Sequence, residues 1–151
     1  MTSQMNPAAD KTDHTLHWAN LALAILGTID SIYLLVYKYT SNDKLCLGSG
    51  GCATVNYSPY SEIYSLPVAL FGIIGYAAML AVLALEPRWE LARQHGRLAL
   101  FGMSLVGLLF SAYLTYIEAA ILHAYCPFCV ASAIIITILF ALATIRLIKS
   151  F

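Results

Sequence analysis

Charge is scarce in this sequence. Aspartate, glutamate, lysine and arginine supply only 11% of its 151 residues, against roughly a quarter in a soluble domain. The deficit points to lipid as the solvent. Acidic and basic side chains cancel to a formal net charge of zero, and without a basic block nothing favours nucleic acid as a partner. Internal repeats are absent. The first apolar run is expected to be a retained helix and not a cleaved signal peptide, because it is too long for an h-region and no small-residue cleavage site precedes the next loop. The chain also lacks the two short cysteine knuckles that all-cysteine zinc sites usually pair, so no metal is expected.

Apolar side chains, by contrast, make up 60% of the chain. They gather in four runs, about 17–37, 65–85, 98–122 and 126–148, each near the ~20 residues that carry a helix across a bilayer. The expected fold class is therefore an all-α integral membrane protein, a four-transmembrane-helix bundle. Residues 1–16 read as a polar, mobile tail, 17–148 as a single membrane domain and 149–151 as a short end. Gly72, Gly75, Gly102 and Gly107 suit membrane helices, where small residues allow close packing. Trp18, Tyr37, Tyr39, Trp89 and Tyr125 read as interfacial belt residues. Met79 and Met103 read as packing.

Lysine and arginine set an expected orientation. Lys11, Arg88, Arg93, Arg97, Arg146 and Lys149 fall on one side of a four-crossing chain, and only Lys38 and Lys44 on the other. The positive-inside rule then places both termini in the cytoplasm. The 38–64 loop faces outward, into a compartment where disulfides persist.

The four cysteines form two pairs. Cys46 and Cys52 flank the spacer Leu47-Gly48-Ser49-Gly50-Gly51 in the outward loop, and Cys126-Pro127-Phe128-Cys129 opens the fourth run. Cys126 occupies an N-cap position with Pro127 at the first helical position, where proline is favoured. Free amides and the helix dipole stabilise a thiolate there. Cys129 lies about one turn deeper on the same face and points toward the bundle interior. A glycine-rich spacer can close a small disulfide ring and can also swing a sulfur toward Cys126, as exchange through a mixed disulfide requires. Two inert structural disulfides would contribute little stability, since short loops gain least from closure. The pattern suggests electrons moving from a protein outside the membrane to an acceptor dissolved within it.

After the glycines, residues 52–64 turn amphipathic, with Val55, Tyr57, Tyr60, Ile63 and Tyr64 placed to lie on the membrane surface as a lid over the bundle mouth. Ionisable residues inside a membrane are costly and default to function. Asp30 in the first run and Glu118 in the third are thus candidate proton relays. Each also has a bland reading, as a protonated side chain bonded to a neighbour or reaching water. Tyr113 and Tyr116 either line a ligand pocket or pack. His123 reads as an interfacial anchor, with a base as the alternative.

The stretches CATVNYSPYSEIYSLPVALFGIIGY (52–76) and SAYLTYIEAAILHAYCPFCV (111–130) resemble the bacterial branch of the vitamin K epoxide reductase family. The order matches as well: helix, loop with two cysteines, two helices, then CxxC at the start of the fourth. The DsbB family, which also forms disulfides with quinone on four helices, instead places CxxC between helices one and two. The resemblance covers about residues 17–148. It implies a four-helix bundle around a membrane quinone (ubiquinone or menaquinone), with the CxxC beside its head group. The implied activity is a protein dithiol:quinone oxidoreductase that reoxidises a separate, extracytoplasmic thioredoxin-fold partner from the cell (inner) membrane. By the same resemblance Cys46 and Cys52 form the shuttle pair, Cys126 receives electrons and Cys129 faces the quinone. Ser58 corresponds to a family serine important for activity. Which shuttle cysteine meets Cys126 stays open. Ser65 stands where the family often has glycine. Ala133 stands in the quinone-binding region where animal members carry a tyrosine that helps hold vitamin K, which weighs against epoxide chemistry. The same residues would also serve a thiol-driven quinone or quinone-epoxide reductase. A membrane scaffold with structural disulfides is the reading outside enzymology.

Overall fold

A computed structural model of the protein describes residues 7–40, Lys44 and residues 51–150. Four of its helices are long and apolar enough to cross a membrane: α1 (Pro7–Thr40), α3 (Val68–Leu85), α4 (Glu90–Ile117) and α5 (Pro127–Ser150). The protein is a multi-pass, all-α membrane protein. Lipid offers no partner to a free amide or carbonyl, so each crossing must close its own hydrogen bonds, as a helix does. Between α1 and α3 lies a folded lid. It comprises α2 (Gly51–Asn56), a 3₁₀ turn at Pro59–Ser61, and a minimal hairpin of β1 (Glu62–Ile63) with β2 (Leu66–Pro67).

Helix α1 packs on α3 and α5, and α4 packs on α5. Their shared core holds Ala24, Tyr76, Met79, Leu83, Leu100, Ile136, Leu139 and Ala143. Glycine brings α1 and α3 together. The Tyr76 ring occupies the space where Gly27 would carry a Cβ, and a Cβ on Gly72 would lie 2.7 Å from Ser31 Oγ. Large apolar residues such as Ile29, Val36, Ile74, Val106, Leu109 and Ile134 stay exposed on the bundle exterior, the surface that lipid would cover.

Two helix starts differ from the sequence expectation. Helix α1 begins at Pro7 and takes up most of the segment read as a mobile tail; α4 begins at Glu90, ahead of its apolar run. Ion pairing explains both. Asp13 of α1 accepts from Arg97 of α4 (3.0 Å) and from Arg146 of α5 (3.3 Å). Arg146 also holds Glu86, at the end of α3, at 2.9 Å, and Glu86 meets His17 of α1 at 3.1 Å. Arg146 and Glu86 are only 3% and 4% exposed. One charged cluster therefore clasps all four long helices at the end remote from the lid, and hydrophobicity alone does not announce it.

The lid is not the single amphipathic segment expected for residues 52–64. Tyr64 and Ser65 both have positive φ (51° and 66°), the conformation of a two-residue type I′ hairpin turn. That turn doubles the chain back so that Pro67 caps α3 in extended geometry. Lys38, in the last turn of α1, anchors the lid through Ser61 Oγ (2.9 Å) and Glu62 Oε1 (3.0 Å).

Removing one partner of a buried ion pair leaves the other charge uncompensated, which costs about 3 kcal/mol or more. Glu86→Gln should accordingly lower the thermal unfolding midpoint in detergent by several degrees. Combining it with Arg146→Met should recover most of the loss, as thermal melts of the single and double variants would reveal.

Candidate thiol–disulfide site

The sulfurs converge where the lid meets the start of α5. Helix α5 opens at Pro127, and the Val130 amide donates to the Cys126 carbonyl at 3.0 Å, so Cys126 sits at the helix threshold. Cys52 is disulfide-bonded, whereas Cys126 and Cys129 are free thiols. Cys126 Sγ lies 3.4 Å from Cys52 Sγ. Both are buried, at 0% and 1% exposure, in a cluster with Leu34 and Tyr37 that Val55, Ala69, Phe128 and Cys129 complete. Cys46 lies outside the described residues.

Two backbone features force this approach. Gly51 begins α2 with its Cα facing the Tyr125 carbonyl, where a Cβ would collide with the oxygen. Its glycine character therefore serves close approach, beyond the flexibility suggested by the spacer. On the other side, α4 widens into a π-type turn at Glu118–Leu122 and stops at His123, whose φ of 50° is left-handed. The Ala124 amide closes that end on the Glu118 carbonyl (3.1 Å). Such π turns are frequent at functional sites. Here the turn keeps Glu118 3% exposed, with its carboxyl accepting from the Cys126 amide and facing the Cys129 thiol. Glu118 Oε2 has no hydrogen-bond partner among the described residues.

Hydrogen bonding from the Cys129 thiol holds Cys126 below its ordinary thiol range, helped by the Cys129 and Phe128 amides and opposed by burial and Glu118. Cys126 is thus the readier thiolate. Cys129, in contrast, lines a cavity of about 600 Å³ inside the bundle. The lid roofs this cavity with Val55, Asn56, Ser58, Tyr60, Ser61 and Ile63, and Glu118 is on its wall. Ser58 keeps its hydroxyl on the Val55 carbonyl (2.8 Å), which turns the chain from α2 into the 3₁₀ turn. Tyr76, which also faces the cavity, has its hydroxyl 3.0 Å from Ser132 Oγ.

Cys52, Cys126, Cys129, Glu118 and Ser58 are therefore brought together. Tyr113 and Tyr116 are not: they are 56% and 64% exposed on the outside of α4 and do not line the cavity. Ala133 borders a separate recess of about 250 Å³ with Thr115, Val130 and Thr137. Asp30 is half-buried on α1 outside the cavity lining, with Oδ2 lacking a hydrogen bond among the described residues. Tyr37, read as a belt residue, is buried against the sulfurs. Sequence reasoning missed Asn56, Tyr76 and Ser132. An amide or hydroxyl placed at a helical interval from a cysteine or glycine was the only available signal.

Four membrane-crossing helices around a cavity that Cys129 lines, with a disulfide-bonded Cys52 against the free thiol of Cys126, define a polytopic membrane protein with a buried cysteine cluster. The model of the vitamin K epoxide reductase family matches residues 18–144, and the chain belongs to that family. It is also 31% identical over 121 residues to the thiol-disulfide oxidoreductase LTO1 of Arabidopsis thaliana. That alignment covers 76% of this chain and 32% of the relative, so the chain spans about a third of the plant protein's length.

A Cβ at position 51 must displace α2 from Tyr125. Gly51→Ala should therefore cut formation of a Cys52–Cys126 disulfide at least tenfold in a Cys46→Ser/Cys129→Ser background, scored by mass spectrometry after mild oxidation. The thiolate is the reacting form, so exchange at Cys126 falls as pH drops through its depressed pKa. In the intact protein the half-point should lie below the ordinary thiol range. Cys129→Ala removes the S–H donor and should move that half-point upward, measured by acid quench across a pH series.

Proposed function

We propose that this protein is a membrane thiol oxidoreductase that carries two electrons from an extracytoplasmic dithiol partner to a membrane quinone. The observation that carries the reading is the 3.4 Å approach of the disulfide-bonded Cys52 to the free Cys126, with Cys129 beside it opening onto the cavity. Sulfur exchange needs contact between attacking and attacked atoms, and that pair has it.

The exchange runs in balanced steps. A reduced thioredoxin-fold partner delivers its electrons to the loop pair Cys46/Cys52. Cys52 thiolate attacks Cys126 of an oxidised Cys126–Cys129 pair, forming a Cys52–Cys126 bond and releasing Cys129 as thiolate. Cys46 thiolate then attacks Cys52, closing the loop disulfide and releasing Cys126. The end point is a disulfide at Cys52 with two free thiols at the CxxC, the arrangement observed. This assigns Cys52 to the CxxC and Cys46 to the partner, a choice the sequence left open.

The cavity fits a quinone: its volume suits a small ligand, its lining is mainly apolar, and Cys129 and Glu118 both line it. When bound, a quinone supplies an acceptor for two electrons and two protons. Glu118 faces the Cys129 thiol and is placed to take its proton and hold it at the cavity wall. Ser58, through its bond to Val55, holds the lid segment that roofs the cavity. Asp30 stands apart from the cavity lining and would act only through Tyr76, which feels its charge. Positive residues concentrated away from the lid support cytoplasmic termini and an outward-facing cysteine end in the cell membrane.

In detergent, with a reduced thioredoxin-fold dithiol protein and a soluble quinone, quinone absorbance should fall rapidly. Cys129→Ala and Cys46→Ala should abolish turnover in folded protein. Glu118→Gln should slow it roughly a hundredfold, the usual weight of a positioned acid–base group. No wild-type reduction across several quinones and donors would overturn the reading.

A further inference from the structure

We infer that Asn56 is a catalytic residue of the sulfur exchange, donating its side-chain amide to Cys126 when that sulfur leaves the Cys52–Cys126 bond. The inference deepens the proposed function and concerns a residue to which neither the sequence nor the family resemblance assigned a role.

Four observations converge on it. Asn56 lies four residues after Cys52 on α2, so both side chains share one helical face. Its Nδ2 donates to the Cys52 carbonyl at 2.9 Å and reaches Cys126 Sγ at 3.9 Å. It is only 7% exposed, in a setting where a donor to an anion weighs more than in water. Its backbone is fixed too: Ser61 Oγ donates to the Asn56 carbonyl at 2.6 Å and is itself held by Lys38. The amide is thus preorganised and does not need to move.

Its chemistry follows from the order of bond changes. When Cys46 thiolate attacks Cys52, the S–S bond to Cys126 breaks and the electron pair passes to Cys126 Sγ. The Asn56 N–H meets that developing charge. No proton or further reductant is needed for the step. Glu118 works against a charge at Cys126, so a neutral donor in contact with the sulfur has a distinct task. Without it, Cys126 becomes a poorer leaving group and the mixed disulfide persists.

The test uses the full chain in detergent, equilibrated in a glutathione redox buffer, then acid-quenched and mapped by mass spectrometry. It involves neither quinone nor partner protein, so its outcome is independent of whether the quinone assay succeeds. Relative to wild type, Asn56→Ala should raise the ratio of Cys52–Cys126 bond to loop disulfide roughly tenfold, the scale of one lost bond to a charged group. Asn56→Asp, nearly isosteric, should raise it further, because a carboxylate repels the leaving thiolate. A purely packing role predicts the reverse order, with the aspartate variant close to wild type. That order, or an unchanged ratio in both variants, would overturn the inference. Should the alanine variant fail to fold, the aspartate variant alone decides between an increased and an unchanged ratio.

Discussion

Two sulfur atoms exchange only when they touch, and in this protein they touch in a place that water barely reaches. Cys52 comes from a short helix in a loop, Cys126 from the threshold of the last crossing. Nothing in either segment alone would hold them 3.4 Å apart. The contact rests on the absence of a Cβ at Gly51, on the left-handed stop at His123 and on the Lys38 anchor of the lid. The cavity, its roof and the placement of Glu118 are arranged around that one contact.

The two ends of the bundle divide the work. At the remote end, Asp13, His17, Glu86, Arg97 and Arg146 clasp four helices with charges taken largely out of water. Such pairs are a poor source of net stability, since desolvation offsets attraction, yet they are intolerant of losing one member. They define one arrangement of otherwise slippery apolar helices. At the cysteine end, three polar side chains meet a sulfur or the cavity: Asn56 on Cys126, Glu118 beside Cys129, Ser58 in the roof. A fixed bundle below thus permits a reactive cluster above.

Polarity between the two CxxC sulfurs arises from position alone. Cys126 sits before the first helical residue, where amides and its neighbour's thiol favour the thiolate. Cys129, one turn on, lies in the cavity wall. One residue type at two depths therefore meets two surroundings: another sulfur at Cys126 and the cavity at Cys129.

Residue order alone determined the four crossings, since runs of apolar side chains of bilayer length leave the backbone no other economical solution. It also marked the CxxC as a helix start, because Pro127 after Cys126 has a fixed φ suited to the first helical position. The inward face of Glu118 was legible only as a cost that had to have a use. Tertiary structure decided the rest. Tyr113 and Tyr116 lie at suitable depth, but the rotation of α4 against α5 turns them outward. Asn56 gained its sulfur contact from a residue 70 positions away, a proximity no local pattern encodes. The ion cluster of Asp13, Glu86 and Arg146 likewise joins distant segments, because helices fixed in length bring their ends together whatever lies between them in sequence.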